Sequence, residues 1–321
     1  MRVLVTGATG LIGSALCREL LGQGAEVHAL VLSEPEAESA LVRSGDMRRV
    51  KAHTGRLEDP DGVRRAVQQA RPQAVFHLGA QPLVEVAQQD PTNTFEVNVR
   101  GTWSLLEACR SLPDPPRAIA VASSDKAYGA STKLPYVETD PLDGREPYEA
   151  SKTMTDVLAR TYARAYALPT RVARCGNIYG PGDWNWSRII PGTIRSLLRG
   201  ERPVLRSDGT PVRDYIHVDD VVRAYLALAE ADVAPGEAFN FSSGEKLSVL
   251  EVVDVVARAV GSKLEPRVLG TAKGEIDVQY LDSSKARRAL GWTATRRMAE
   301  SLPATIDWYR ELLGVRVAAR S

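Results

Sequence analysis

Thr6-Gly7-Ala8-Thr9-Gly10-Leu11-Ile12-Gly13 follows the apolar run Val3-Leu4-Val5 and opens an amphipathic stretch. No other feature constrains the chain as much. Glycines at these spacings allow a tight strand-to-helix turn whose backbone N–H groups approach a phosphate at the helix N-terminus. A glycine trio by itself says little. One that follows a first strand and opens a first helix points to a sheet that holds the pyrophosphate of a dinucleotide.

The chain keeps that rhythm. Strands are expected at 2–6, 26–32, 48–57, 74–78, 118–123, 170–175 and 238–242, with helical patterns at 12–21, 62–69, 91–111 and 149–166. Several of the strands are apolar throughout, as expected when both faces of a parallel sheet are covered. The alternation predicts an α/β fold, a Rossmann-type doubly wound parallel sheet. After Cys175 the rhythm changes. Residues 176–186 are rich in Gly, Pro, Asn and Trp and read as a long loop; helices at 191–199 and 219–230 and a turn at 208–211 follow. The expected layout is a cofactor domain over 1–175, rejoined by 214–243. A smaller substrate-binding cap takes 176–213 and 244–321.

Charge and composition exclude several classes. Among 321 residues, 41 basic and 40 acidic side chains leave a net charge of +1, without the basic footprint of a nucleic-acid binder. No stretch approaches the roughly 18 apolar residues of a membrane span, and the opening residues lack the pattern of a secretory signal. Cys17, Cys109 and Cys175 lie far apart, and His28, His53, His77 and His217 are scattered, so no metal site is expected. The expected location is the cytoplasm.

Tyr148 and Lys152 stand four residues apart at the start of a helical pattern, hence on one face. An ammonium close to a phenol favours the phenolate and lowers its pKa. Such a tyrosine can take a hydroxyl proton while hydride leaves the same carbon. The adenosine side is less regular. Val31 holds the position where an acid would normally bind the ribose, with Glu34 a few residues on, and no arginine stands there to read a 2′-phosphate. This leans towards NAD and leaves NADP open.

Taken together, these segments resemble the extended short-chain dehydrogenase/reductase superfamily, the nucleotide-sugar epimerases and dehydratases, over nearly the whole chain. The matching pieces are 5–13, His77-Leu78-Gly79-Ala80, 98–102, Ser123 to Gly129, Pro147-Tyr148 with Lys152, and Arg213-Asp214-Tyr215. The resemblance implies a cofactor site formed by Gly7, Thr9, Gly10, Leu11, Ile12, Leu57, Leu78, Ala80, Asn98, Tyr148 and Lys152. It makes Ser124 the partner of the reacting sugar hydroxyl, Tyr148 the base, and Lys152 the group that depresses the tyrosine and holds the nicotinamide ribose. Arg56 departs from the pattern, standing where an adenine-side aspartate is common. Relatives also imply a homodimer through 91–111 and 149–166.

Asp125 and Lys126, directly after Ser124, bear on the reaction. Ser-Asp-Lys resembles CDP-glucose 4,6-dehydratases and C5-inverting UDP-N-acetylglucosamine 4,6-dehydratases, in which an acid–base pair removes water across C5–C6 after C4 is oxidised. By that resemblance Lys126 is the base and Asp125 the acid. A 4-epimerase needs only the tyrosine and is the alternative, with Asp125 and Lys126 then a solvated turn. A cofactor-binding sensor and a ketoreductase consuming free NADPH are the rivals from other classes. On the substrate side, Gly176 to Trp184 resembles the dehydratase loop. Asn177, Arg188, Arg206 and Arg213 are the expected contacts of a nucleotide-diphosphate sugar, with Gln81 from the first half. Arg213 leads for the diphosphate, because a guanidinium suits phosphate geometry. Trp184 and Trp186 either stack on the base or pack the cap.

Overall fold

The structure is a computed structural model that describes residues 1–32, 35–272 and 276–315. Its strands are β1 (Arg2–Thr6), β2 (Glu26–Val31), β3 (Lys51–Thr54), β4 (Ala74–His77), β5 (Ala118–Ala122), β6 (Thr170–Cys175), β7 (Asn177–Tyr179), β8 (Val204–Leu205), β9 (Val212–His217), β10 (Ala238–Phe241), β11 (Lys246–Ser248), β12 (Arg267–Val268) and β13 (Val278–Gln279). The helices are α1 (Leu11–Gly22), α2 (Ala40–Arg43), α3 (Pro60–Ala70), α4 (Val84–Gln89), α5 (Pro91–Phe95), α6 (Gly101–Arg110), α7 (Pro147–Tyr166), α8 (Ile189–Leu198), α9 (Val218–Glu230), α10 (Val249–Val260), α11 (Ser284–Leu290) and α12 (Met298–Leu313).

A 7-stranded parallel sheet in the order β3-β2-β1-β4-β5-β6-β10 forms the frame. Period-two alternation sorts its side chains. Val3, Val5 and Phe76 face α1 and α9, while Leu4, Val75 and Ile119 face α3, α6 and α7. Each fully buried Leu or Phe adds roughly 1.5–3 kcal/mol. The chain leaves β1 towards β2 and β3, then crosses to β4 on the other side. That reversal opens a crevice beyond the carboxyl ends of β1 and β4, where doubly wound sheets bind ligands.

Over that crevice sits a second layer. Strand β9 pairs antiparallel with β11 and, along its other edge, parallel with β13 and β7. Ile190, Ile194, Val252, Leu302 and Ile306 from α8, α10 and α12 form its core. The returning α9 and β10 join the main sheet, as the pattern at 219–230 and 238–242 predicts.

Three expectations shift. The strand expected over 48–57 shrinks to β3, because Gly45 (φ 76°) starts a 3₁₀ turn at Asp46–Arg49 and the chain leaves the sheet after Thr54. The helix expected over 91–111 is interrupted by a π-helical turn, Glu96–Arg100. The extra residue per turn aims Asn98 inward; π-turns recur at functional sites. Finally, the segment read as a loop from 176 begins with β7, paired to Tyr215–His217.

Candidate functional site

The glycine loop forms because two of its positions exclude a side chain. Gly7 has φ 71°, and a Cβ there would lie 2.7 Å from the Gly79 nitrogen after β4. A Cβ on Gly13 would run into the Gly7 carbonyl oxygen and the Ala8 Cα. Helix α1 starts at Gly10 without a side-chain cap and with no acidic residue in its first turn. A cradle that only glycine can leave open, at an uncapped helix start, suits the pyrophosphate of a dinucleotide.

The surrounding residues converge on it. Leu57 packs where a Cβ on Gly79 or Gly101 would be, so it closes one wall beside Leu78 and Ala80. The Ser39 hydroxyl donates to the Thr9 carbonyl at 2.9 Å and fixes the loop's outer side. His77 ties the two crevice strands together. Thr102 Oγ1 donates to the Asn98 carbonyl, so His77 Nε2–H donates to Thr102 at 3.0 Å and Nδ1 accepts from Thr6 at 2.8 Å. Burial pushes this imidazole down to about 3 and keeps it neutral. Asn98 accepts from the Gln81 backbone N–H at 2.7 Å and donates to the Gln81 carbonyl and the Ser151 hydroxyl. Its amide thus anchors the β4 loop to α7.

The adenosine side stays irregular. Val31 is buried in the core beneath α1, and Arg56 is ion-paired with Glu58. Glu34 lies outside the described residues.

Helix α7 starts where the chemistry needs it. Pro147 occupies the first turn, and Glu146 with Glu149 forms a capping box. Tyr148 therefore sits in the first turn and Lys152 one turn later. Lys152 Nζ donates to the Ala122 carbonyl at 3.0 Å, at the end of β5, and burial pushes the amine down to about 8. Tyr148 makes a hydrogen bond with Ser124; burial and then the Asp125 charge push its phenol up to about 12, opposed by Arg188. In the protein alone the phenol is thus raised rather than lowered, because burial outweighs the Arg188 charge and the Ser124 hydrogen bond.

The Ser124 hydroxyl caps the short turn Asp125–Tyr128, accepting from the Lys126 N–H at 3.2 Å. Asp125 is buried and its Oδ2 has no partner among the described residues. Burial pushes its carboxyl above the usual range, opposed by the charges of Lys126 and Arg213 and by the Ser124 hydrogen bond. Lys126 is half-buried beside it.

The expected substrate contacts divide. Arg213 is buried on β9, donating to the Val212 carbonyl at 2.9 Å, and its charge reaches Asp125. Arg188 caps α8, donates to Asp183 at 3.0 Å, and its charge reaches Tyr148. Asn177 opens β7, half-buried. The Gln81 amide is committed locally to Leu83 and Thr94. Arg206 is ion-paired with Glu85 of α4 at the exposed rim. Trp186 packs against Tyr309 in the second core, with Arg195 over its ring, so it packs the cap.

Two groups escaped the sequence reading. Gln279 on β13 is fully buried and donates to the Asp125 carbonyl at 3.0 Å. Arg174 is fully buried, doubly bonded to Asp156 at 2.7 and 2.9 Å, and donates to Tyr128, which donates to Asn240. A buried guanidinium is tolerable only with such full pairing. The network bolts the Asp125–Tyr128 turn to β6 and β10. No group that could hold a metal ion occurs among the described residues, and no helix there is long and apolar enough to cross a membrane.

This arrangement has counterparts. The model of the NAD dependent epimerase/dehydratase family matches residues 3–242. A UDP-glucose 4-epimerase of Mycolicibacterium smegmatis is 33% identical over 97% of this chain and 99% of its own. A CDP-glucose 4,6-dehydratase of Salmonella typhimurium is 29% identical over 96% of this chain and 90% of its own. A dTDP-glucose 4,6-dehydratase structure from Streptomyces venezuelae with NAD bound superposes with a TM-score of 0.89 at 30% identity, covering 98% of each chain.

Proposed function

The chain belongs to the NAD dependent epimerase/dehydratase family, and from that premise we propose that it is a nucleotide-diphosphate-hexose 4,6-dehydratase yielding a 4-keto-6-deoxy sugar and water. One observation carries the choice: Asp125 is buried next to the Ser124–Tyr148 pair with an unpartnered oxygen and an elevated pKa. A 4-epimerase has no task for such an acid. An elimination does.

NAD, when bound in the glycine cradle, supplies the acceptor for the C4 hydride and gives that hydride back at C6. The residues of the chain do the rest. Ser124 holds the C4 hydroxyl, and Tyr148 takes its proton as the hydride departs. Lys152 keeps a positive charge beside the ribose, which favours the tyrosine anion once nicotinamide adds its own. The C4 ketone acidifies the C5 proton, which Lys126 removes and later returns. Asp125, kept protonated by burial, gives its proton to the departing C6 hydroxyl, which leaves as water. The proton that Tyr148 took from the C4 hydroxyl passes through Ser124 to restore it. Arg213 and Arg188 hold the diphosphate, with Asn177 between them and the hexose. Trp103 on α6 and Met154, Val157 and Tyr166 on α7 are exposed apolar side chains, the face through which the protein pairs as a homodimer.

Mass spectrometry of products from CDP-, dTDP-, GDP- and UDP-hexoses tests the reading. A product lighter by one water, with the ultraviolet absorbance of a 4-keto sugar in base, is expected. An epimer of unchanged mass would establish the 4-epimerase instead.

A further inference from the structure

At the opposite end of the sheet from the glycine cradle, a cavity of about 400 Å³ opens between the strand N-termini and the helices α1 and α9. Its floor is apolar, made by Ala74, Phe76, Leu226 and Ala229. Arg171, the second residue of β6, extends into it from the sheet. The residue is 8% exposed. Its Nη2 donates to the Ala231 carbonyl at 2.8 Å, whereas Nε and Nη1 are buried without a partner among the described residues.

A guanidinium carries five N–H donors, and burying them unpaired is costly. Arg174 obeys that rule through its pairing with Asp156. Among the described residues no carboxylate is hydrogen-bonded to Arg171; only the charge of Asp232 reaches it. Ala120 on β5 stands beside Arg171 in the sheet, and Ala74 on β4 contributes only a methyl group to the cavity lining. Arg117 adds a second cation at the lining, while Glu230 and Asp232 stand there as carboxylates. Those two carboxylates penalise a polyanion far more than a single negative charge.

We propose that this cavity is a binding site for a small monocarboxylate with an apolar body, its carboxylate on the free Arg171 donors and its body on Leu226 and Ala229. It lies apart from the glycine cradle and from Tyr148. It is independent of which sugar reaction the protein performs.

Calorimetric titration of the full chain with benzoate and with isovalerate, and with inorganic phosphate as a comparison, tests the site. Saturable binding of one equivalent of at least one carboxylate is expected, with phosphate at least tenfold weaker. Arg171→Met should abolish it, and Arg171→Lys should weaken it. Circular dichroism melting checks that both variants fold. Ala229→Leu fills the cavity while leaving Arg171 in place, and should also abolish binding. Absence of saturable heat in the folded wild-type protein, binding that survives Arg171→Met, or tighter binding of phosphate would each overturn the proposal.

Discussion

The Ser124 hydroxyl donates to Asp125 Oδ1 at 2.9 Å, leaving Oδ2 of the same carboxyl without a partner among the described residues. One hydroxyl thus stands between Tyr148, the proposed proton acceptor, and Asp125, the proposed proton donor. Ser124 bonds the phenol and Oδ1 of the acid at once.

Replacing Asp125 with Asn should therefore separate the steps. Proton transfer by a positioned side chain is worth about 10²–10⁴-fold, so kcat for water loss should drop by that order with KM nearly unchanged. Solvent deuterium should still enter C5, since Lys126 remains. Because burial raises the Asp125 pKa, the wild-type rate should fall as pH rises through that elevated value, and Asp125→Asn should lack this limb. Equal loss of water release and C5 exchange would remove Asp125 from its role.

Lys152 predicts a limb at higher pH. Burial brings its amine down to about 8. The positive charge that assists Tyr148 is present below that pH and disappears above it. Initial hydride transfer, followed as nicotinamide absorbance in single turnovers, should weaken above about pH 8. Lys152→Met should be slow at every pH, by about 10²-fold or more. An unchanged profile in that variant would assign the limb to another group.

His77 makes a stability prediction. Its folded pKa, about 3, lies below the ordinary histidine value of 6.5. The unfolded chain therefore binds the extra proton between those values, and stability must fall as pH falls through that window. The slope is roughly 1.4 kcal/mol per pH unit for one proton. Urea titrations of wild type and His77→Gln at several acidic pH values would compare the two; the variant should lack this contribution. Parallel slopes would show that His77 is not the group responsible.

The face bearing Met154 and Val157 predicts the assembly. These residues stand three apart on α7, on one stripe. Val157→Arg should weaken the dimer by about 10–100-fold, since each 1.4 kcal/mol is tenfold. Light scattering coupled to gel filtration reads the change. A wild-type protein that is monomeric at high concentration would refute the pairing.

The sequence carried the frame because the frame is local. Arg2–Thr6, an apolar run closed by Gly7, and Thr170–Cys175, followed by Gly-Asn, have the expected bounds. The helix expected over 149–166 begins at Pro147, and its face was visible in the four-residue spacing of Tyr148 and Lys152. What depended on distant partners was not visible. Nothing near Gln279 signals that it meets Asp125, 154 residues earlier. Nothing near Arg206 signals Glu85, which ties it to α4 at the rim. The π-turn at Asn98 was hidden because a helical apolar stripe survives one extra residue. The two core layers pair by packing, and packing leaves only a faint trace in composition.

The grip of Gln279 on the Asp125 backbone has an evolutionary corollary. The tyrosine and lysine are set by α7 and its neighbours Ala122 and Ser124, but the backbone of the acid is also held by a strand near the far end of the chain. Recombination that exchanged the last eighty or so residues with those of a cousin would leave the redox half intact. It would put the elimination half at risk. Shuffled descendants should accordingly drift towards oxidation and reduction without dehydration, and a lineage could exchange one trade for the other without altering a single residue of the Ser-Asp-Lys turn.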